Sequence, residues 1–89
     1  MKYKPKDNIV IDAIQWNDNL EEIKHFLNTD SVYDITQDGG TLLFNVKLPY
    51  GLVTHLVDPT DYIVKYSNTD YQLFDVEQFH RRFERYLDN

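Results

Sequence analysis

The sequence predicts a single α+β domain: a curved antiparallel sheet of about five or six strands, with two helices on one face of it. The first observation behind this is the order of patterns, in which strand-like segments joined by turn signals stand between two helical segments. The second is a strong hairpin signal, Asp38-Gly39-Gly40, near the middle of the chain. The third is the length of 89 residues without a linker or a repeat, which suits one domain (1–89).

The first strand is predicted at residues 9–16, after a short polar lead-in at residues 1–8. Apolar residues occupy both of its faces, and only Asp12 interrupts one of them. A strand with this pattern is covered on both sides, so we expect it to be central in its sheet.

The first helix is predicted over residues 18–28. Asp18 is followed three residues later by Glu21, which is the spacing of a capping box. The apolar face of this helix is formed by four residues at helical spacing: Leu20, Ile23, Phe26 and Leu27.

Short strands follow the first helix. A hairpin is predicted around Asp38-Gly39-Gly40, between strands at 31–37 and 41–47, because two glycines permit the left-handed conformations of a tight turn. Pro49-Tyr50-Gly51 predicts the next turn, and residues 52–57 predict another strand.

The stretch from Val57 to Tyr86 is the most regular part of the chain. Asp58-Pro59-Thr60-Asp61 has turn-forming residues at its first two positions, and the β-branched Thr60 resists a positive φ. This turn is therefore predicted to be of type I. Strands at 62–66 and 71–74 then flank the turn cluster 67–70, as in a hairpin.

The second helix is predicted over residues 76–87. Asp75 is expected to cap it by accepting hydrogen bonds from the free N–H groups of the first turn. The face that packs on the sheet is predicted from three- and four-residue spacing: Val76, Phe79, Phe83 and Tyr86.

The composition narrows the classes of function. Fifteen acidic against nine basic residues leave a net charge of −6, which argues against direct nucleic acid binding. The chain contains no cysteine, so it has no disulfide framework and no thiolate metal site. No apolar run has the length of a membrane span, and the first residues lack the apolar core of a signal peptide. We expect a cytoplasmic protein without a membrane partner.

No catalytic, metal or cofactor site is predicted. His25, His55 and His80 are scattered, without carboxylates at ligand spacing beside them. Asp58 and Asp61 resemble an acid–base pair, but their positions are already explained by backbone hydrogen bonds in a turn. The chain is therefore expected not to be an enzyme.

Several landmarks occur in a characteristic order along nearly the whole chain. They are Ile11-Asp12-Ala13-Ile14-Gln15-Trp16, Asn19-Leu20-Glu21-Glu22 at a helix start, Asp58-Pro59-Thr60-Asp61-Tyr62-Ile63-Val64-Lys65, and Phe79 with Phe83. Together they resemble a family of small bacteriophage proteins of unknown function, in which a Pro-Gly-Asp-Tyr turn leads into a strand ending in Lys. Thr60 stands where that family has Gly, and no Gly follows Lys65. The resemblance implies a phage or prophage origin, a location in the host bacterial cytoplasm and an accessory role.

Two binding functions are compatible with these features. In the first, the protein blocks a host protein, such as a nuclease, as an anti-defence or host-takeover inhibitor does. The acidic surface that would do this includes Asp58, Asp61 and Asp70. In the second, an oligomer sequesters a small nucleotide signal by means of cations and aromatic rings. The residues of this nucleotide site would be Tyr62, Lys65, Tyr66, Arg81, Arg82 and Arg85.

Other interpretations stay open. The arginines also complement the dipole of the second helix, and Lys65 is also explained as an outward strand position. A phage structural or morphogenesis component is a third function. The net charge repels free nucleotides at long range, so the first function, blocking of a host protein, is favoured.

A homodimer is the last expectation. Helices on one face would leave the other face of the sheet to be covered by a second copy. Leu42, Phe44 and Val46 share one strand face, whereas Leu43 and Asn45 share the other, so one face of this strand is strongly apolar.

Overall fold

The computed structural model describes the backbone of residues 2–5 and 11–85 and the side chains of residues 11–83. The elements follow one another in this part of the chain as β1 (Lys2–Pro5), β2 (Ile11–Gln15), α1 (Leu20–Phe26), β3 (Val32–Asp38), β4 (Thr41–Leu48), β5 (Gly51–Val57), β6 (Tyr62–Lys65), β7 (Tyr71–Phe74), α2 (Val76–Arg82) and β8 (Phe83–Arg85). The prediction of an α+β chain with antiparallel strands and two helices is confirmed. The polar lead-in, in contrast, contains a strand.

The strands form two sheets, where the sequence predicted one. The unit β7-β6-β2 is extended beyond β2 by the short strands β1 and β8, which gives five strands in the order β7-β6-β2-β1-β8. The hairpin strands β3, β4 and β5 form a separate sheet in chain order. Alternation of side chains indicates which residues share a strand face, but it does not indicate which strands pair across a long connection. Here β2 pairs with β6, and the whole second sheet lies between them in the sequence.

Strand β2 is central and covered on both faces, as predicted. Ile14 and the following Trp16 lie in the larger core, between the two sheets and α1. Ile11 and Ala13 lie in the smaller core, on the other face of the five-stranded sheet. The buried residues of the larger core are Ile14, Trp16, Ile23, Leu27, Leu42, Phe44, Val46, Val57, Ile63 and Tyr71. Those of the smaller core are Ile11, Ala13, Tyr62, Val64, Phe74, Phe79 and Phe83.

The two helices pack on opposite faces of the five-stranded sheet, so the prediction that they share one face is wrong. Helix α1 places Ile23 in the larger core, and α2 places Phe79 in the smaller core. Strand β6 shows this division, because Ile63 lies in the larger core and the next residue, Val64, lies in the smaller core. A strand that is apolar on both faces accepts a helix on either side, and its pattern therefore does not choose between them.

Helix α1 is shorter than predicted, and its cap is not Asp18. Asp18 has a φ of 64° and lies in the turn before the helix. Asn19 is the N-cap residue, without a side-chain bond to the helix amides. Instead the Asn19 amide donates to the Gln15 carbonyl (3.1 Å) and to Glu22 Oε1 (2.6 Å). These bonds hold the turn that brings the chain from β2 into the helix.

Helix α2 starts as predicted. The Asp75 side chain accepts a hydrogen bond of 2.8 Å from the Gln78 amide, and Gln78 Oε1 accepts one of 3.4 Å from the Asp75 amide. This pair is a complete capping box. The burial of Phe79 (0% exposed) and Phe83 (3%) is also confirmed. Val76 is 37% exposed, so its predicted place on the packed face is wrong.

The end of α2 differs from the prediction. The helix stops at Arg82, where residues 76–87 were expected, and Phe83 adopts the extended conformation. Residues Phe83–Arg85 then pair as β8 with β1, with Phe83 opposite Pro5. A helical pattern in the sequence does not reveal that a distant strand edge offers hydrogen bonds to the same residues. The predicted position of Tyr86 lies outside the described residues.

The predicted hairpins are present, and their faces bear on the expectation of a homodimer. In the turn before β4, Gly39 has a φ of 62°, as a tight turn needs. The apolar face of β4, with Leu42, Phe44 and Val46, is buried in the larger core of the same chain. The face expected to receive a second copy is therefore already covered, and the homodimer stays a prediction.

Candidate functional site

The turn at residues 58–61 is the first component of the site, and it is not of the predicted type. Thr60 has a φ of 73°, and the Asp61 amide donates to the Asp58 carbonyl at 3.1 Å. A positive φ at the third position defines a type II turn, so the expectation of type I is wrong. Two long-range bonds hold this conformation: the Thr60 amide donates to the Trp16 carbonyl (2.9 Å), and Gln15 Nε2 donates to the Thr60 carbonyl (3.0 Å).

Trp16 joins this turn to the hairpin between β3 and β4. Its ring is fully buried, its backbone amide donates to the Asp61 carbonyl (2.9 Å), and its indole N–H donates to the Gly40 carbonyl (2.8 Å). A Cβ atom on Gly40 would stand only 3.1 Å from Cγ of Pro59. Glycine at this position therefore lets the two turns lie against each other.

The consequence is that segments rich in aspartate meet at one end of the molecule. Gln37 Nε2 bridges the Asp18 carboxylate (3.0 Å) to the Gly39 carbonyl (2.9 Å), so the turn before α1 also joins the group. The pairing of Tyr62 with Phe74 places the residue before β6 beside the residue after β7. We call this group of four segments the acidic end, and the five aspartates that they carry are Asp18, Asp38, Asp58, Asp61 and Asp75.

The acidic end has no compensating charge within its own segments. Residues 16–19, 37–41, 58–61 and 75–78 contain no lysine, arginine or histidine. Four of the aspartates are exposed, and Asp61 is half-buried. Burial raises the pKa of Asp61 above its usual value, and the neighbouring carboxylates of Asp58 and Asp75 raise it further, while a hydrogen bond from the Asp58 backbone opposes them. The Asp61 carboxylate thus lies in the negative field of its neighbours.

The structure brings together two of the three acidic residues that were predicted to act as a group. Asp58 and Asp61 belong to the acidic end, but Asp70 lies at the other end of β6, in the hairpin turn with Ser67. The third aspartate beside Asp58 and Asp61 is Asp75, where Asp70 was predicted. The sequence indicates Asp75 as a helix cap, and the hairpin predicted over residues 62–74 also implies that Asp61 and Asp75 are neighbours.

The residues predicted for nucleotide binding do not meet in one place. The Lys65 ammonium lies 5.8 Å from the centre of the Phe26 ring, beside the larger core. The Arg82 guanidinium lies 5.4 Å from the Phe74 ring, beside the smaller core. The five-stranded sheet therefore separates these two cations.

Some of the other residues predicted to bind a nucleotide are already in contact with side chains of the same chain. Tyr62 is 6% exposed, and its ring stacks on Phe79 at 3.8 Å, so its faces are not open to a ligand. Arg81 forms an ion pair with Glu77 one turn earlier in α2. Tyr66 is 41% exposed. The side chain of Arg85 lies outside the described residues.

One groove nevertheless contains cations. It has a volume of about 380 Å³ and runs between β7 and α2. Its lining is formed by Gln72, Leu73, Phe74, Gln78, Arg81 and Arg82. This groove retains two of the six predicted nucleotide-binding residues. A second depression of about 530 Å³ lies along the three-stranded sheet and shares no lining residue with the groove. It is lined by Tyr33, Asp34, Lys47, Leu48, Pro49, Gly51 and Leu52.

Across the part of the chain that the structure describes, no group of three or more histidine, aspartate or glutamate side chains is placed to hold a metal ion. None of the described helices combines the length and the apolar character needed to cross a membrane.

Comparison of the chain with protein-family models, with curated proteins and with solved structures found no match in any of the three. The relation to the bacteriophage family therefore stays a prediction from the sequence landmarks.

Proposed function

We propose that this chain is a non-enzymatic accessory protein that binds and neutralises a host protein through its acidic end. The observation that carries the proposal is the meeting of four separate segments, which carry five aspartates, at one end of the molecule. A surface of one sign attracts a surface of the opposite sign and orients it during association. The partner that fits is a basic protein surface, such as the nucleic-acid site of a nuclease.

The scaffold supports this function because it holds the backbone of the turns that carry the carboxylates in a fixed conformation. The backbone of Trp16 is hydrogen-bonded to the turn that carries Asp58 and Asp61, and its buried ring is hydrogen-bonded to the turn that follows Asp38. Turns that are positioned before binding lose little backbone conformational freedom when a partner docks. The acidic end therefore presents a pre-formed negative surface, which suits a protein that acts by occupying a partner.

The origin is part of the same proposal. The resemblance to small bacteriophage proteins supports a phage or prophage source and an anti-defence role in a bacterial host. The alternative, sequestration of a small nucleotide, has only the groove with Arg81 and Arg82 in its favour, because the sheet separates these residues from Lys65. Blocking of a host protein is therefore the function that the geometry supports best.

The experiment is a capture from bacterial lysate on the immobilised protein, read by mass spectrometry for proteins and for nucleotides. The test variant carries Asp58→Asn, Asp61→Asn and Asp75→Asn, because asparagine keeps turn and cap hydrogen bonds while it removes the charge. The matched control carries Asp12→Asn, Asp30→Asn and Asp70→Asn, which remove the same formal charge from exposed positions outside the acidic end; Asp12, for example, is paired with Lys65 at the other end of β6.

We expect the wild type and the control to retain the same basic protein at about 50 mM salt and to release it near about 500 mM, because salt screens exposed charges. The test variant should not retain it. Equal retention by both variants would contradict the role of the acidic end. Capture of a nucleotide that is lost on changing Arg81 and Arg82 to Gln would favour the alternative.

A further inference from the structure

Strand β5 is a sheet edge without the usual protection against pairing. It runs for seven residues, Gly51–Val57, and contains no charged residue and no proline. The opposite edge of the same sheet, β3, has a bulge between Tyr33 and Thr36 and carries Asp34 with a φ of 55°. In the five-stranded sheet the edge strands β7 and β8 have only four and three residues. Long, flat and uncharged edges are the ones that pair with another strand.

The backbone groups of β5 that have no partner among the described residues can be assigned from the adjacent ladder. The Lys47 amide donates to the Ser31 carbonyl at 2.7 Å, so Lys47 directs its backbone groups toward β3 and away from β5. Lys47 is paired with Leu52, which therefore directs its own N–H and C=O away from β4. The direction alternates along a strand, so the same holds for Thr54 and Leu56.

We propose that a second copy of this chain pairs with β5 in antiparallel orientation, with Thr54 opposite Thr54 of the second copy. In this register all three outward-facing residues of each copy meet outward-facing residues of the other, which allows about six backbone hydrogen bonds. A shift by two residues in either direction loses part of this overlap. The two three-stranded sheets then become one continuous sheet with two-fold symmetry.

The side chains match in the same register. Leu52 lies opposite Leu56 of the second copy on the outer face, and these leucines are 63% and 58% exposed in the single chain. Val53 lies opposite His55 of the second copy on the inner face. Directly opposed apolar side chains are in contact across antiparallel strands, so two exposed leucine pairs become covered.

The charge distribution allows this association in spite of the net charge of −6. The edge itself is uncharged, and Asp58 of the acidic end follows directly after its last residue, Val57. Antiparallel pairing places the two acidic ends at opposite ends of the shared sheet. Seven strand residues span about 23 Å, well beyond the screening length of about 8 Å at physiological salt. The dimer goes beyond the proposed function and would present two acidic ends that face away from each other.

The experiment compares Thr54→Pro with Thr54→Ala by sedimentation over a range of protein concentrations. Both variants lose the hydrogen bond from Thr54 Oγ1 to Asn45 Oδ1 (2.6 Å), but only proline removes the outward N–H. We expect the wild type and Thr54→Ala to dimerise and Thr54→Pro to dissociate at least about tenfold more readily, because each dimer loses two hydrogen bonds. Circular dichroism checks the fold of each variant. If Thr54→Pro does not fold, Leu56→Lys decides, and it should be monomeric.

The register is tested by cross-linking, since the chain contains no cysteine of its own. Thr54→Cys should form a disulfide-linked dimer under mild oxidation, because directly opposed residues have Cα atoms about 5.5 Å apart, within disulfide reach. Leu52→Cys should not, because the two thiols would be separated by four strand residues, about 13 Å. A wild type that is monomeric at high micromolar concentration would overturn the proposal. So would equal cross-linking of the two cysteine variants.

Discussion

The indole N–H of Trp16 donates a hydrogen bond of 2.8 Å to the carbonyl oxygen of Gly40. Trp16 follows the central strand of the five-stranded sheet, and Gly40 lies in a hairpin turn of the other sheet. This single side chain therefore connects the two sheets at the end where the aspartates converge. The geometry of the acidic end depends on it as much as on the turns themselves.

The first prediction concerns this connection. Trp16→Phe removes the N–H donor and leaves space in the larger core, so it should lower the free energy of unfolding by about 2–4 kcal/mol. The measurement is urea unfolding followed by circular dichroism, because Trp16 is the only tryptophan and the variant loses its fluorescence signal. A loss below about 1 kcal/mol would mean that the hydrogen bond to Gly40 and the buried ring contribute little.

The second prediction concerns the left-handed Thr60. A positive φ costs a residue with a β-carbon roughly 1–2 kcal/mol, and replacement by glycine removes this cost. Because glycine is more flexible in the unfolded chain, part of the stability gained by the replacement is lost again. Thr60→Gly should therefore stabilise the protein by about 0.5–1 kcal/mol, which thermal unfolding can measure. Thr36→Gly is the control, because Thr36 is not among the described residues with positive φ, and it should destabilise. Destabilisation by Thr60→Gly would show that the threonine side chain contributes more than the strain costs.

The third prediction separates two residues of α2 that the sequence placed on one face. Phe79 is fully buried and stacked on Tyr62, whereas Val76 is 37% exposed. Phe79→Ala should cost about 3–5 kcal/mol, a large part of the stability of so small a domain. Val76→Ala should change the free energy of unfolding by no more than about 0.5 kcal/mol. Similar losses for the two variants would contradict the register of α2.

The fourth prediction is a pH dependence from His55. This ring stacks on Phe44 at 4.9 Å, and burial lowers the pKa of His55 below its usual 6.5. The unfolded chain therefore takes up a proton at a higher pH than the folded chain. Stability should be fully present above pH 6.5 and should decrease as the pH falls from there toward the folded pKa.

Urea unfolding at about pH 7.5 and 5.5 measures this effect, because histidines are the side chains that titrate in that window at their usual pKa. His55→Gln should reduce the difference in unfolding free energy between the two pH values. His25→Gln, on the exposed side of α1, is the control and should leave the difference as in the wild type. An unchanged difference in His55→Gln would exclude His55 as its source.

The fifth prediction concerns the Asp61 carboxylate. Burial and the charges of Asp58 and Asp75 raise its pKa in the folded state, so its ionised form is less favourable there than in the unfolded chain. Asp61→Asn should therefore stabilise the protein at pH 7, by less than about 1 kcal/mol because the group is partly exposed. The gain should shrink as the pH falls through the folded pKa toward 3.8, below which the wild-type carboxyl is protonated in both states. Asp70→Asn, which lies away from the acidic end, should not show this pattern.

Local features of this chain could be read from the sequence because they depend on contacts within a few residues. The Asp75 cap bonds to Gln78 three positions later, and the turn at Asp38-Gly39-Gly40 needs only glycine between two strands. The apolar character of β2 on both faces likewise indicated a central strand, because each face of a central strand must be covered. Asp58 and Asp61 could be grouped for the same reason, since one turn contains both.

The other features are decided by bonds between distant segments. The amide of Thr60 donates to the Trp16 carbonyl, and this bond favours a conformation that threonine by itself resists. Phe83 leaves the helix because Pro5 and its neighbours offer a strand edge. The side of the sheet that each helix covers, the separation of Lys65 from Arg82 and the addition of Asp18 and Asp75 to the acidic end follow from the same cause. The sequence by itself determined the Asp38-Gly39-Gly40 turn, the Asp75 cap and the central strand; strand pairing between remote segments and burial in two separate cores decided the rest, because a linear pattern shows which faces are apolar but not what covers them.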